Sequence, residues 1–401
     1  MKKLLAIMLV ALFAVGAVSA QKVANPTKIQ LWTQEGQADG ALQYVQALAK
    51  AYSSVDSKVT IEVVQKDTEA LREDFQTASL AGNAPELLWT VSDHAGPFTL
   101  AELIQPVDSF AKLSDFVESV VIGGKTWGVP ISSGNHLMLM YNKDFVKTAP
   151  KDTDEMIAVG KSLIGKVQAP LVFNFTEPFW LAPWIGGFGG RVFGADGKTP
   201  TLNTKAMSDA LQFLYDLKST YKIMPAEADY NIMDTLFKEG KAAMIINGDW
   251  ALGEYQKTLG AKFAVAPIPM VKATGKYPAP YTSGKYFMVA DGVKGDKLTA
   301  VKGFIAFATN NANQLDMVKT LKRLPALKAA LEDTSIASDP ILKGSSAQMA
   351  VGTPMPVVFE MRAIWDAMKP ELINVLSGSK TAVAAAKDMQ SAAEAGIKAM
   401  K

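Results

Sequence analysis

From residue 28 to residue 33 the chain alternates: Ile29 and Leu31 are apolar and their neighbours polar, the period of a half-buried strand, and the run ends in the polar loop 34–40. The period then changes. Leu42, Val45, Leu48 and Tyr52 recur at helical spacing, residues 59–64 return to a strand pattern, and residues 71–80 form a second helical run stopped near Gly82. The apolar Leu87-Leu88-Trp89 follows, leading into a loop that carries Asp93 and His94. This βαβα rhythm predicts a parallel sheet covered by helices, with ligands expected at the loops beyond the carboxyl ends of the strands.

Residues 121–130 contain the Gly123-Gly124 pair of a hairpin turn, and residues 131–135 lead through Ser132-Ser133-Gly134 into an apolar strand at 137–141. That short passage reads as a first crossing between two lobes. The rhythm repeats with a strand at 171–175, a turn at Asp196-Gly197, a helix at 204–221 and a strand at 242–246, ending in Asn247-Gly-Asp-Trp250 with an exposed tryptophan. Tyr281-Thr-Ser-Gly284 reads as another crossing; a strand at 286–290 and a helix at 297–309 come after it. The chain is helical from Phe359 onward, kinked at Pro370 and broken at Gly378, and the Ala-rich stretch 381–400 reads as a weakly anchored surface helix. Pieces far apart in sequence must therefore build each lobe.

A chain of 401 residues is too long for one ordinary core, which independently favours two lobes. With 49% hydrophobic and 20% charged residues it has the composition of a soluble globular protein. Its first 20 residues differ from the rest: Lys2 and Lys3 precede an apolar run at 4–15, and Val18-Ser19-Ala20 supplies small residues before Gln21, together the pattern of a secretory signal. The absence of cysteine removes both disulfides and a lipid-modified cysteine, so the expectation is a free periplasmic protein. Formal net charge is +2, and loss of Lys2 and Lys3 with the signal leaves it balanced, which argues against nucleic acid as a partner.

The candidate chemistry lies in Phe173-Asn-Phe-Thr-Glu-Pro-Phe-Trp-Leu-Ala-Pro-Trp184, where Glu177 stands among aromatic rings. Burying that carboxylate without a partner is costly. A sugar answers it, because pyranose C–H faces suit aromatic rings and hydroxyls donate to an acceptor-only carboxylate. Trp180 and Trp184 also fit ordinary core spacing, and Trp184 reads better as core; Trp32 and Trp127, inside alternating strand patterns, do too. Of the seven tryptophans, Trp89, Trp250 and Trp365 fall at strand ends or in the late helix and are the candidate platforms. Gly197-Lys-Thr199 and Gly124-Lys-Thr126 miss the first glycine of a phosphate loop, and Gly186-Gly-Phe-Gly-Gly190 lacks dinucleotide-binding spacing. The two histidines, His94 and His136, have no zinc-ligand spacing, so neither a metal nor another cofactor is expected. Asp93 and Glu177 could alternatively be the carboxylate pair of a secreted glycoside hydrolase.

Tyr141-Asn-Lys-Asp144, Phe173-Asn-Phe-Thr-Glu-Pro178, Ala243-Met-Ile-Ile-Asn-Gly248 and Ile373-Asn374 with Ser377-Gly378 occur in the order seen in bacterial maltose-binding proteins. Over essentially the whole of residues 21–401 the chain resembles the solute receptor of a carbohydrate ABC importer, most closely those for maltose and maltotriose. The resemblance implies a non-enzymatic, monomeric, two-lobed α/β receptor with three hinge crossings, which delivers its sugar to a membrane permease. The lobes are expected at 21–132 with 286–330 and at 136–282 with 334–401, closing over the ligand by the hinge motion for which periplasmic binding proteins are the standard example. It further implies Trp89, Trp250 and Trp365 as stacking platforms, Phe179 and Trp180 as an aromatic wall beside Glu177, and Asp93 and Asn135 as partners of sugar hydroxyls. His94 and Met355 complete the expected site. Glu35 and Gln37 stand near positions where the family has an acid and a lysine, Lys369 where it has an arginine, and Asp366 where it has a tyrosine. A trehalose or other neutral oligosaccharide receptor is the alternative within the same fold.

Overall fold

The computed structural model describes residues 21–117 and 119–400; the signal expected at residues 1–20 lies outside them. Two sheets organise the chain. In the first, Thr27–Thr33 runs parallel to Val59–Gln65 on one side and to Leu87–Val91 on the other, with Thr27 opposite Val59 and Leu31 opposite Leu87. The antiparallel strand Tyr281–Ala290 joins beside Leu87–Val91, and Lys125–Gly134 beside that. The second sheet has the order Phe263–Ala266, Leu137–Asn142, Ala242–Gly248, Ala169–Val172, its last two strands parallel.

Because side chains alternate across a strand, the first sheet carries an apolar core on each face. Leu31, Trp89, Phe287 and Phe304 pack on one side; Leu88, Phe75, Phe98 and Met288 pack on the other. Helix Ala41–Tyr52 buries the Val45, Leu48 and Tyr52 stripe and helix Thr68–Leu80 buries Leu71 and Phe75. A separate large core surrounds the second sheet, drawing on residues from Leu137 to Val271 and again from Ile341 to Ala393. The fold is therefore two-lobed, each lobe assembled from distant segments.

Lys125–Gly134 and Tyr281–Ala290 pair from Val129 and Phe287 in the first sheet to Gly134 and Ser283 at the junction. Gly134 has φ +114° and Asn135 φ +44°, a reversal into Leu137 that a side chain at position 134 would oppose both conformationally and by meeting Asp249 at 2.4 Å. Leu324–Pro325 pairs with Ser133 and Ser132 before the chain reaches helix Pro340–Met349, which lies against Val265 of the second sheet.

Several expectations change. The strand expected at 171–175 is Ala169–Val172, because Asn174 turns the chain by accepting from the Thr176 amide (3.1 Å) and hydroxyl (2.7 Å). The helix expected at 204–221 is Lys205–Tyr215 followed by a wider π turn at Asp216–Thr220. Tyr281–Ala290 is one continuous strand, so residues 281–284, expected as a crossing ahead of a separate strand, belong to the strand itself. Helix Ala382–Ala399 is not weakly anchored: Ala385, Ala386, Met389 and Ala393 are fully buried. Among the described residues no helix is long and apolar enough to cross a membrane.

Candidate functional site

The rings gather where the lobes meet. At the end of Ala242–Gly248 the chain turns through Asp249 to Trp250, whose ring lies so close to Gly248 that a Cβ there would stand 2.1 Å from it. Asp249 accepts from the Asn135 amide at 3.0 Å, which ties this turn to the reversal at Gly134 and Asn135. Trp250 Nε1 donates to the Tyr230 hydroxyl (2.9 Å), and that hydroxyl donates to Asp39 of the first lobe (3.2 Å).

Phe179 stands with its centroid 6.2 Å from Trp250 and 6.3 Å from Trp365, so three segments share one aromatic surface. Trp180 backs it, buried, its Nε1 fixed on the Ile246 carbonyl at 2.8 Å and its ring edge-on to Trp250 at 6.2 Å. From helix Glu360–Leu376, Trp365 packs edge-on to Tyr281 and donates through Nε1 to Asp93 of the first lobe at 3.2 Å. Met355 is buried beside this strand, its amide on the Thr282 carbonyl at 2.9 Å. At the rim Lys369 pairs with Glu177, and Arg362 joins Asp366 on its own helix to Glu69 across the seam.

The lobes touch directly. Besides Trp365 to Asp93 and Tyr230 to Asp39, Lys238 Nζ donates to the Ala38 carbonyl at 2.8 Å. The cavity left where Glu69, Asp93, His94, Arg362 and Trp365 meet is about 10 Å³. A small-molecule pocket spans roughly 300–1,000 Å³. A sugar can therefore enter this cavity only once its walls part.

Burial dominates the electrostatics. It raises the carboxyls of Asp93 and Asp39 to about 6, despite the Trp365 donor at the first and Arg323 and Lys238 near the second. It also pushes His94 down to about 3 and lowers His136, so both rings are neutral. For Glu35, burial is outweighed by Arg323 and Lys285, which hold the carboxyl at about 2; Arg323 grips it with two bonds of 2.7 and 2.8 Å.

Several sequence expectations are corrected by this geometry. Trp89 is not an open platform: it is 1% exposed, edge-on to Phe287 at 5.2 Å, with Nε1 on Glu35 at 2.8 Å. Glu35 is committed to Arg323, and His94 is buried against Phe98 with Nδ1 on the Thr90 hydroxyl at 2.8 Å. Gln37 faces solvent. Glu177 is partly exposed and answered by Lys369, and Trp250 is half-buried rather than exposed. Asp93, Asn135, Phe179, Trp180, Trp250 and Trp365 come together, with Glu177 and Lys369 at their edge and Met355 behind.

Sequence reasoning missed Tyr230, Tyr281, Asp39, Arg323 and Lys285. Lys285 left a signal, because it is the one charge in the otherwise uncharged strand Tyr281–Ala290. Tyr230 and Arg323 left none, since each acts only through a residue far away in the chain. Chemically, the assembled surface offers rings for apolar C–H faces and carboxylates for hydroxyls.

Residues 43–344 match the family described as bacterial extracellular solute-binding protein. The chain is similar to the maltose/maltodextrin-binding domain MalE of Bdellovibrio bacteriovorus, solved bound to maltotriose, with 37% identity, a TM-score of 0.88, and coverage of 93% of this chain and 100% of that one. It is also similar to the Thermus thermophilus maltotriose binding protein bound with maltotriose, at 25% identity and a TM-score of 0.84, covering 92% of this chain and 100% of that one. A maltotriose-binding protein of Pyrococcus abyssi is 27% identical over 369 residues, 88% of this chain and 79% of the relative.

Proposed function

Because the chain belongs to the bacterial extracellular solute-binding family, we propose that it is a receptor which captures malto-oligosaccharides, maltotriose foremost, between its lobes and hands them to an ABC transporter. The observation that carries this reading is the meeting of Phe179, Trp250 and Trp365 from three distant segments, on the seam where Asp93 of the other lobe joins them. The lobes are 21–132 with 286–330 and 136–282 with 334–401.

In this reading Trp250, Trp365 and Phe179 take the C–H faces of successive glucose units. Asp93, released from Trp365 as the lobes part, accepts from sugar hydroxyls; Asn135 borders the same space, and Trp180 and Met355 support the rings. Glu177 and Lys369 exchange their mutual pair for hydroxyls at the rim. Trp89, Glu35 and His94 serve as buried support beneath the loops, and Gln37 stays outside the contact. Each stacked ring contributes on the order of 1 kcal/mol beyond its buried area, so three together sustain micromolar or tighter binding.

The chain binds and releases its sugar without cutting it. Asp93 and Glu177 are answered by Trp365 and Lys369, which stand four residues apart on one helix, and the family is one of solute capture. It acts in the periplasm after export through residues 1–20, as a monomer that a permease reads in its closed form. Calorimetry with maltotriose, maltose, trehalose and mannobiose tests the ligand: maltotriose is expected to bind most tightly, and a silent maltotriose titration beside a strong trehalose one overturns the choice. Chromatography of the maltotriose after incubation is expected to return it intact, and glucose released at enzymatic rates overturns the receptor reading.

A further inference from the structure

Lys285 lies on Tyr281–Ala290 opposite Ser132 on one neighbouring strand and Val91 on the other, where the pairing with Lys125–Gly134 shifts register. Such a shift bends the strand and re-aims a side chain. The residue is 7% exposed, in a strand whose every position is buried.

An ammonium has three N–H donors and no acceptor, and burying them unused costs free energy. Among the described residues no hydrogen bond and no ion pair within 4.0 Å reaches Lys285 Nζ, although its backbone amide bonds Ser132 Oγ. Other enclosed cations are engaged: Arg323 by both oxygens of Glu35, and Lys238 by Asp234 at 2.9 Å. What Nζ faces is the Trp250 ring, 5.9 Å from its centroid, at the outer limit of a cation–π contact.

The charge around it fixes the class of partner. Glu35, Asp249 and Asp93 attract the ammonium and Arg323 repels it. The three carboxylates are already accepting from Arg323, the Asn135 amide and Trp365. The ammonium thus has its charge offset while its donors are free, and an anionic ligand would meet three acids. A neutral oxygen fits.

Resting on the reading of the cleft as a malto-oligosaccharide site, we infer that Lys285 is a ligand-contacting, specificity-determining residue whose ammonium donates to one hydroxyl of the glucose unit stacked on Trp250. An apolar side chain of similar length cannot replace that donor. A merely charge-balancing lysine would instead hold the fold and ignore which hydroxyls the sugar carries.

Calorimetry of wild type and Lys285→Met with maltotriose and a panel of its monodeoxy analogues, beside thermal unfolding of both proteins, separates the two roles. Expected is a tenfold or greater loss of maltotriose affinity in Lys285→Met with no fall in melting temperature. One deoxy analogue is expected to bind wild type weakly yet bind Lys285→Met as well as maltotriose itself. Equal maltotriose affinity in the two proteins overturns the inference and leaves the receptor reading intact; so does an affinity loss with a lowered melting temperature and no analogue-specific pattern. If Lys285→Met fails to fold, the same panel on Lys285→Ala, which removes the donors without adding bulk, decides by the same pattern. Failure of wild type to bind maltotriose overturns the malto-oligosaccharide reading of the cleft, and the inference with it.

Discussion

Trp250 and Trp127 show how little a tryptophan's immediate sequence says about its work. Trp127 donates to the Ile122 carbonyl at 3.0 Å within its own hairpin, whereas Trp250 lies flat over Gly248 and reaches Tyr230. Trp250→Ala and Trp365→Ala are each expected to weaken maltotriose binding tenfold or more, about 1.4 kcal/mol or upward, with little loss of folding. Gly248→Ala is expected to do the same by displacing the ring it cradles. Trp127→Ala is expected to lower the melting temperature and spare affinity; calorimetry and thermal unfolding of the four variants check both sides. Trp250 and Trp365 stand out in the sequence because one follows the end of a strand pattern and the other lies in the late helix. Trp89 was misread: Leu87–Val91 is buried on both faces, so no polar alternation tells which way its ring points. Arg323→Met would leave Glu35 buried without its ion-pair partner, with Trp89 Nε1 still on it, and urea unfolding is expected to register a loss of about 3–5 kcal/mol.

The opening βαβα rhythm could be read from the change between periods of two and about 3.6, and most of those boundaries held within a residue or two of their expected places. What the pattern misjudged was helix Ala382–Ala399. Its alanines look like weak anchors when counted by apolar surface, yet small side chains let two helices approach closely, and Gly396 brings the backbone to within about a side chain of Ala363. Such a face has no room to grow. Ala393→Leu is expected to overpack it and cost about 1–3 kcal/mol, lowering the melting temperature by several degrees. Val383→Leu, on the same helix but 69% exposed, is expected to leave it unchanged. If both behave alike in a thermal scan, the helix is a passive cover.

Lobe closure is the property no local pattern could display, because it depends on Asp39 finding Tyr230 and Asp93 finding Trp365 across the seam. Both acids belong to the first lobe, and contact with the second strips their water, lifting each from its ordinary 3.8 to about 6. Asp234 pushes Asp39 further up while Arg323 and Lys238 pull it back; Glu69 raises Asp93 and Lys285 opposes. Parted lobes return the water. The closed form then binds more protons than the open form between about pH 4 and 6, so closure is favoured below the lower value and that preference is lost as pH rises through the upper one. Glu35 runs the other way, since its carboxyl is held at about 2: the stability it contributes is present above 4.5 and lost as acid approaches 2, but Arg323 lies between Leu321 and Ala326, which share the core of Leu31 and Trp89, so the pair belongs to one lobe. Small-angle scattering of the sugar-free protein is therefore expected to show a smaller radius of gyration at pH 5 than at pH 7.5. In the Asp39→Asn, Asp93→Asn double variant, neutral at both positions, the two radii are expected to coincide near the smaller value. A wild-type radius that is flat or grows on acidification would mean that the two carboxylates do not govern closure.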